Sequence, residues 1–356
     1  MATLQAADPL SAAPKFLGAN ACSSSGCHGG GKENQFLVWS VRDYHSQRPF
    51  ATLTTARSKQ IADALQIKDP TVDKRCTACH APLSEVPETL RAHGLKASES
   101  VSCESCHGPA ERWLRSHTRP DYTHADRVAA GMRDLKNLYV RANTCVACHQ
   151  TVEFPLLKAG HPELIFELDG QSVSQPKHWR EKTNWHGAQA WLVGQAAALR
   201  EMSWQSSRSQ EQDTRLVARR DALRWLFEKL ARVEKSPAEL RRFSDSFQNQ
   251  NEVQTAADSL ARRSSEMGWS DETKASMLRA LANSGPDFRR TDVGQQQQAR
   301  RAERLVLALD RVLADKPRAA ADAQLDELFK LAQSLPDFEP LRFAAALDQF
   351  AKRLQP

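Results

Sequence analysis

Long apolar runs are missing from this chain of 356 residues. No stretch of about 18 consecutive apolar residues occurs, which excludes a membrane-spanning helix. Regular alternation of apolar and polar residues is also missing, so no β-sheet is predicted. All eight cysteines lie before residue 149 and all eleven histidines before residue 187, which leaves residues 187–356 without either type. Cofactor chemistry is therefore expected only before residue 187.

No cysteine is left over from a regular pattern. The eight cysteines form four pairs, and a histidine directly follows the second cysteine of each pair. We number these motifs one to four in chain order, at residues 22–28, 76–80, 103–107 and 145–149. Motifs two to four have the spacing CxxCH, whereas motif one, CSSSGCH, has four residues between its cysteines.

The order Cys-x-x-Cys-His is the attachment signature of c-type haem. The two thiols add to the haem vinyl groups as thioethers, and the histidine binds the iron. We therefore predict four covalently attached haem c groups. The predicted attachment residues are Cys22, Cys27, Cys76, Cys79, Cys103, Cys106, Cys145 and Cys148, and the predicted proximal iron ligands are His28, His80, His107 and His149.

Zinc and disulfides are the alternative uses of paired cysteines. A zinc ribbon also contains CxxC pairs, but it does not need a histidine after every second cysteine. A disulfide framework suits small secreted domains, whereas this chain is long enough to build an apolar core. Both alternatives are less favoured than haem attachment.

The formal net charge of +6 does not indicate nucleic-acid binding. Each haem carries two anionic propionates, so four haems would bring the net charge close to zero and leave no basic surface of the required size. Bacteria attach haem covalently outside the cytoplasm, which indicates a periplasmic or other extracytoplasmic protein. The first residues, MATLQAADPL, have neither the basic nor the apolar region of a signal peptide, so removal of such a peptide is expected.

The second half of the chain has a helical pattern. Leu305, Leu309 and Leu313 recur at four-residue spacing, and Phe343, Leu347, Phe350 and Leu354 follow a similar spacing. We predict an all-α fold with two domains: a tetrahaem cytochrome c domain with short helices and long loops at 1–190, and a bundle of six to eight helices at 191–356. The segment QQQQARRAER, residues 295–304, is predicted to form a solvent-exposed helix face.

Several segments of the first half resemble the multihaem cytochromes of the cytochrome c554 type. The resemblance covers about residues 16–180 and rests on FLGANACSSSGCHGG, VWSVRDYHSQRPFATL, VSCESCHGPAERWLRSH, CVACH and AGHPELIFEL. It implies that His45 is the distal ligand of the haem at motif four, His117 that at motif one and His161 that at motif three. It also implies an open face on the haem at motif two.

Four further histidines stay open as ligands. His124 is included among the candidate iron ligands, and His93, His178 and His186 are alternatives. An iron that transfers electrons without binding substrate needs a second axial ligand, which is why every unassigned histidine matters.

The sequence favours electron transfer between redox partner proteins, because four haems within a short length of chain must lie close together. One alternative is an enzyme that reduces a small nitrogen oxide or peroxide at one open haem. Another is a docking subunit of a larger redox complex, in which the helical half contacts the partner. Glu104, inside motif three, is a candidate for tuning a reduction potential.

Overall fold

The computed structural model describes residues 13–31, 34–93, 95–179, 187–208, 213–233, 236–268, 270–313, 322–332 and 337–354. His186, one of the alternative ligands, lies outside these residues. Regular structure in the described residues is helical apart from one isolated β-bridge between Phe16 and Arg91. The prediction of an all-α fold is confirmed. In the same residues, no helix combines the length and apolar character needed to cross a membrane.

The chain divides into two compact units that alternate along the sequence between residues 149 and 182. The first unit comprises Met1–Cys148, Pro155–Glu163 and Val173–Lys182, and the second comprises His149–Phe154, Leu164–Ser172 and Thr183–Pro356. The assignment of residues 1–190 and 191–356 to two domains stays a prediction.

Helices in the first half of the chain are short and are separated by long loops, as predicted. They are α1 Gln35–Leu37, α2 Tyr44–Thr52, α3 Ala56–Ala64, α4 Lys74–His80, α5 Cys103–His107, α6 His124–Ala129, α7 Leu138–His149, α8 Phe154–Lys158 and α9 Leu168–Ser174. A π-helical turn at Val38–Arg42 lies between α1 and α2, and 3-10 turns lie at Ala19–Cys22, Pro82–Glu85, Glu88–Leu90 and Ala97–Glu99.

Side-chain caps define where several of these helices begin. The side chains of Asp43, Thr55 and Asp73 accept hydrogen bonds from backbone N–H groups in the first turns of α2, α3 and α4. Each cap satisfies a donor that the helix itself leaves without a partner.

The helices of the second half are mostly longer, apart from the short helix at Ala238–Arg241. They are α10 Gly187–Arg208, α11 Thr214–Ala231, α12 Ala238–Arg241, α13 Gln250–Glu266, α14 Asp271–Ala282, α15 Gln295–Leu313, α16 Asp322–Ala332 and α17 Pro340–Arg353. The most extensive helix packing is that of α10 against α13 and of α11 against α15. The predicted apolar positions on α15 and α17 are buried, apart from the partly exposed Leu354.

Small residues allow α10 to lie against its neighbours. At Gly194 a Cβ atom would lie only 2.7 Å from the Cβ atom of Leu168 in the same unit, closer than two such atoms can pack. Glycine is therefore required there by the packing of α10 on the segment 164–172.

The prediction of a solvent-exposed face at residues 295–304 is wrong for two of its polar residues. Gln298 is 1% exposed and donates a hydrogen bond from Nε2 to the carbonyl of Arg290. Arg304 is 4% exposed and pairs with the Glu167 carboxylate at 2.6 Å. A polar side chain enters a core when a specific partner satisfies it, and sequence periodicity contains no information about that partner.

Candidate haem-attachment sites

Motifs two, three and four each form the last turn of an α-helix. Helices α4, α5 and α7 end on His80, His107 and His149 respectively. In an α-helix the N–H of each such histidine donates to the carbonyl of the first cysteine, four residues earlier. The two cysteines and the histidine then lie on one helix face, because residues three and four positions apart are neighbours. This is the arrangement in which two thiols and one imidazole can hold a single porphyrin.

Motif one also joins its histidine N–H to the carbonyl of its first cysteine, but it does so through a turn instead of a helix. Its two extra residues form a tight turn in which the N–H of Cys27 donates to the carbonyl of Ser24 at 2.9 Å. The N–H of His28 then returns to the carbonyl of Cys22 at 3.2 Å. The histidine is thereby hydrogen-bonded to the first cysteine, as in a CxxCH helix, despite the longer spacing.

Two glycines make this turn possible. A Cβ atom at Gly29 would collide with the carbonyl of Ser23, and one at Gly30 would collide with the carbonyl of Ser25. Because backbone atoms cannot move aside as a flexible side chain can, the sequence CHGG is required by the turn itself.

Thiols from different motifs lie next to each other. The thiols of Cys22 and Cys103 share a hydrogen bond, which raises the pKa of Cys103 together with burial and lowers that of Cys22. Cys79 and Cys148 share another, with the pKa of Cys148 raised in the same way. None of the eight cysteines forms a disulfide. The fold therefore brings motif one to motif three and motif two to motif four.

Two pairs of histidine rings also lie next to each other. The ring centroids of His28 and His117 are 5.9 Å apart with an interplanar angle of 31°, and those of His80 and His161 are 6.4 Å apart at 80°. A metal–imidazole bond of about 2 Å on each side of one metal places the two ring centroids about 6 Å apart. Both pairs have the separation expected of two axial ligands on one iron.

The first of these pairs agrees with the family resemblance and the second differs from it. The resemblance assigns His117 to motif one, and the structure places it beside His28 of that motif. It assigns His161 to motif three, whereas the structure places that ring beside His80 of motif two.

Most of the candidate histidines engage one ring nitrogen in the same way. An acceptor oxygen lies within hydrogen-bond distance of Nδ1 in each case: Gln35 Oε1 for His28 (2.7 Å), Asp43 Oδ1 for His45 (2.9 Å), the carbonyl of Pro49 for His80 (2.6 Å), of Leu114 for His117 (2.6 Å), of Pro162 for His161 (2.8 Å) and of Pro176 for His178 (3.3 Å). Since such oxygens only accept, each Nδ1 donates, and Nε2 is left in the form that binds metals.

His45 is oriented by a buried carboxylate. Asp43 is 2% exposed and accepts hydrogen bonds from both the backbone N–H and the ring of His45, and from Nε2 of Gln175 at 2.8 Å. Burial alone would raise the pKa of Asp43, but the hydrogen bonds from His45 and Gln175 lower it below its ordinary value. A carboxylate behind a histidine is a frequent feature of metal ligands, because it fixes the ring and increases its basicity.

His178 lies close to motif three. Burial, together with the electrostatic influence of His178, lowers the pKa of His107 to about 4. Burial also lowers the pKa of His178 itself. Both imidazoles are therefore neutral at physiological pH, which is the form that binds a metal. The sequence offered His178 only as one alternative among four, since nothing around it distinguishes it from a loop histidine.

His124 and His93 are less suitable ligands. His124 uses Nε2, the nitrogen that stays available in the other candidates, to contact Asp134 at 2.9 Å. The side chain of His93 is exposed. The structure brings neither of them to a cysteine motif, and ligation by His124 stays an unsupported prediction.

Two residues near the motifs have buried polar atoms without a hydrogen-bond partner, which a haem could supply. The indole N–H of Trp113 is buried without a hydrogen-bond partner, and its ring packs edge-on against His117 at 5.5 Å. Gln150, which follows motif four directly, is 3% exposed, and neither polar atom of its side-chain amide has a partner. Buried donors are rarely left without acceptors, and haem propionates supply acceptor oxygens at the edge of the ring.

Zinc fits the same residues less well. Across the described part of the chain, no three or more His, Cys, Asp or Glu side chains are grouped as they would be around one metal ion. Zinc needs four ligands around one point, whereas an iron within a porphyrin needs only two from the protein.

Glu104 organises the neighbourhood of motif three. Its carboxylate is 1% exposed and accepts hydrogen bonds from the backbone N–H groups of Leu17, Gly18 and Ala110, at 2.7–3.0 Å. Burial raises its pKa, and these three donors oppose that rise. The residue thus ties the N-terminal segment to motif three, a structural role that the sequence did not reveal.

Comparison with known proteins agrees with this geometry over part of the chain. No curated protein and no solved structure is significantly similar to it. The family described as "Cytochrome c554 and c-prime" matches residues 21–108, which contain motifs one, two and three. Over this segment the chain is therefore similar to the cytochrome c554 and c-prime family, a match that supports a c-type cytochrome with covalently bound haem c.

Proposed function

We propose that this chain is a periplasmic tetrahaem c-type cytochrome that carries electrons between redox partner proteins. One observation carries the proposal. Each of four cysteine pairs is followed directly by a histidine, and two of these histidines lie 5.9 and 6.4 Å from a second histidine ring. That separation suits an iron whose two axial positions are both filled by the protein.

The residues of the motifs have distinct roles in this proposal. Each cysteine pair would hold one porphyrin through thioether bonds, and each following histidine would bind the iron. Haem c supplies a one-electron couple between ferric and ferrous iron. Carbonyl and carboxylate oxygens keep the rings of six candidate ligands in one orientation and one tautomer: His28, His45, His80, His117, His161 and His178.

Separate observations support a distal ligand for three of the four motifs. His117 lies beside His28 of motif one. The electrostatic influence of His178 on His107 supports a role at motif three. The family resemblance supports His45 at motif four, and its contact with the buried Asp43 has the form of a ligand held in place.

Electron transfer is favoured over catalysis by the position of His161. An enzyme that reduces nitrogen oxides or peroxide needs one iron with an open position, and motif two was the candidate for it. His161 lies beside the histidine of this motif. A protein in which every iron has two protein ligands passes electrons on without binding a substrate.

The number of haems is the most direct test. A pyridine haemochrome assay together with the intact mass should show four covalent haems per chain. The double variant Cys22→Ser/Cys27→Ser should retain three, and a coulometric titration of the wild type should require four electrons. Three haems in both the wild type and the double variant would contradict the proposal, because motif one would then attach nothing.

A further inference from the structure

We propose that His161 is the distal ligand of the haem at motif two, and that Arg57 positions it. This inference rests on the proposed function, since it requires a haem attached at Cys76 and Cys79. It differs from the family resemblance, which implies an open face at this motif.

The first observation is the geometry of the two imidazoles. Their centroids are 6.4 Å apart, close to the 5.9 Å between His28 and His117. In both rings Nδ1 donates to a backbone carbonyl, that of Pro49 for His80 and that of Pro162 for His161. Each ring is therefore held by one nitrogen, and Nε2 of each is the nitrogen suited to the iron.

The second observation is the turn that carries His161. Helix α8 ends in consecutive hydrogen bonds from the N–H groups of Ala159, Gly160 and His161 to carbonyls within the helix. Gly160 has a φ of +105°, in the left-handed region that side-chain-bearing residues avoid. The turn ends the helix and leads directly into His161, so the position of this imidazole is defined by the backbone.

The third observation is a clamp from another helix. The guanidinium of Arg57, on α3, donates from Nε and Nη2 to the carbonyl of Gly160, at 3.2 and 2.7 Å. Both donors of one planar group converge on the residue that precedes His161. A two-point contact of this kind fixes direction as well as distance, so Arg57 acts as a positioning residue for the imidazole.

His93 and His124, the other histidines that could close this iron, are less suited to the position. His93 is the nearest in sequence after motif two, but its side chain is exposed. His124 engages Asp134 through Nε2. The consequence is that motif two offers no open iron to small molecules.

The test uses the fully reduced holoprotein and carbon monoxide, a small ligand that binds only an iron with an accessible position. The wild type should be low spin at all four haems and should bind no carbon monoxide. His161→Gly should keep four covalent haems by mass, convert one haem in four to high spin and bind one carbon monoxide per chain. Added imidazole should restore the low-spin spectrum of this variant. His93→Ala is the matched control and should behave as the wild type.

Arg57 is tested by the same spectra. Arg57→Ala should produce high-spin haem and carbon monoxide binding at part of one haem, with four haems still attached. Lys59→Ala, which removes a neighbouring cation on the same helix, should change neither.

Two outcomes would overturn the inference. The first is a wild type that binds one carbon monoxide per chain, and the second is a His161→Gly variant in which all four irons stay low spin. Both leave the haem count at four, so they are distinguishable from failure of the proposed function, in which the count itself falls. An Arg57→Ala variant identical to the wild type would remove the positioning role alone.

Discussion

The two units of this protein differ in what fills their interiors. The twelve largest fully buried side chains of the described residues all belong to the second unit: Trp191, Phe166, Phe227, Phe243, Phe288, Phe338, Phe343, Phe350, Leu168, Leu192, Leu199 and Met202. The first unit also buries larger apolar residues, such as Ile61, Leu83 and Trp113, but none of them belongs to this fully buried group. Burial of large apolar side chains is the main source of stability in a domain. The second unit has a core of such side chains, whereas the first unit needs a further source of buried apolar volume.

The cysteine motifs indicate that haem is the expected source of this apolar volume. Four porphyrins attached within the first unit would supply the apolar volume that its side chains do not provide. A cluster of aromatic rings plays the equivalent part in the second unit, where the ring centroids of Phe288 and Phe343 are 4.7 Å apart. The first unit should therefore depend on its cofactor for folding, and the second should not.

Preventing haem attachment should have the largest effect. With all eight cysteines replaced by serine, we expect the first unit to lose its protease resistance while the second unit keeps its helices, because only the second has a core of large, fully buried side chains. Limited proteolysis with mass spectrometry, together with circular dichroism, would measure this. Equal resistance of both units in the haem-free protein would contradict the comparison.

Breaking a buried ion pair should destabilise the second unit alone. In Arg304→Met the Glu167 carboxylate loses a partner at 2.6 Å, and we expect a loss of about 3–5 kcal/mol at neutral pH. The haem spectrum should not change. Urea unfolding followed by circular dichroism would measure the loss. The exposed pair formed by Arg342 is the matched control, and Arg342→Met should cost about 0–1 kcal/mol.

The loss in Arg304→Met should depend on pH. Burial raises the pKa of Glu167 above its ordinary 4.5, and Arg304 opposes that rise. A carboxyl group with a raised pKa in the folded state contributes full stability below its unfolded pKa and loses it as the pH rises through the folded value. Removal of Arg304 raises this pKa further, so the penalty should be largest at neutral pH and should decline as the pH falls towards 4.5. A penalty independent of pH would show that Glu167 is not its source.

A smaller loss is expected from overpacking α10. Gly194→Ala places a methyl group against Leu168 and should cost about 1–3 kcal/mol. Gly187→Ala, in the same helix but with no atom within 4 Å of its new Cβ, should not destabilise the protein. Thermal unfolding of both variants would separate the steric effect from helix propensity. Equal melting temperatures would contradict the close approach of α10 and the 164–172 segment.

The smallest change should be confined to one haem of the first unit. His45→Ala should leave four haems attached and convert one from low to high spin, because the iron at motif four would lose its distal ligand. Electron paramagnetic resonance would detect the change. His124→Ala should leave the spectrum unaltered, since that ring contacts Asp134 instead. An unchanged spectrum for His45→Ala together with a high-spin haem in His124→Ala would show that His124, and not His45, is the distal ligand.

Some features were predictable because they are local. A histidine after the second cysteine defines an attachment motif wherever it occurs, and the four-residue spacing of Leu305, Leu309 and Leu313 predicts a buried helix face without any knowledge of its neighbours. The hydrogen bond from the N–H of His28 to the carbonyl of Cys22 in motif one was harder to predict from the sequence, because it depends on the turn between the two residues.

The sequence by itself determined the all-helical class, the candidate attachment residues and the histidines from which distal ligands must come. Only the tertiary structure decided which of those histidines meet. His161 lies beside His80 because Arg57 and the left-handed Gly160 direct the end of α8 towards motif two. In the same way, Arg304 and Glu104 are buried because their partners lie far away in the chain. Spacing along the chain records local geometry, whereas such pairings depend on contacts that form only when distant segments fold together.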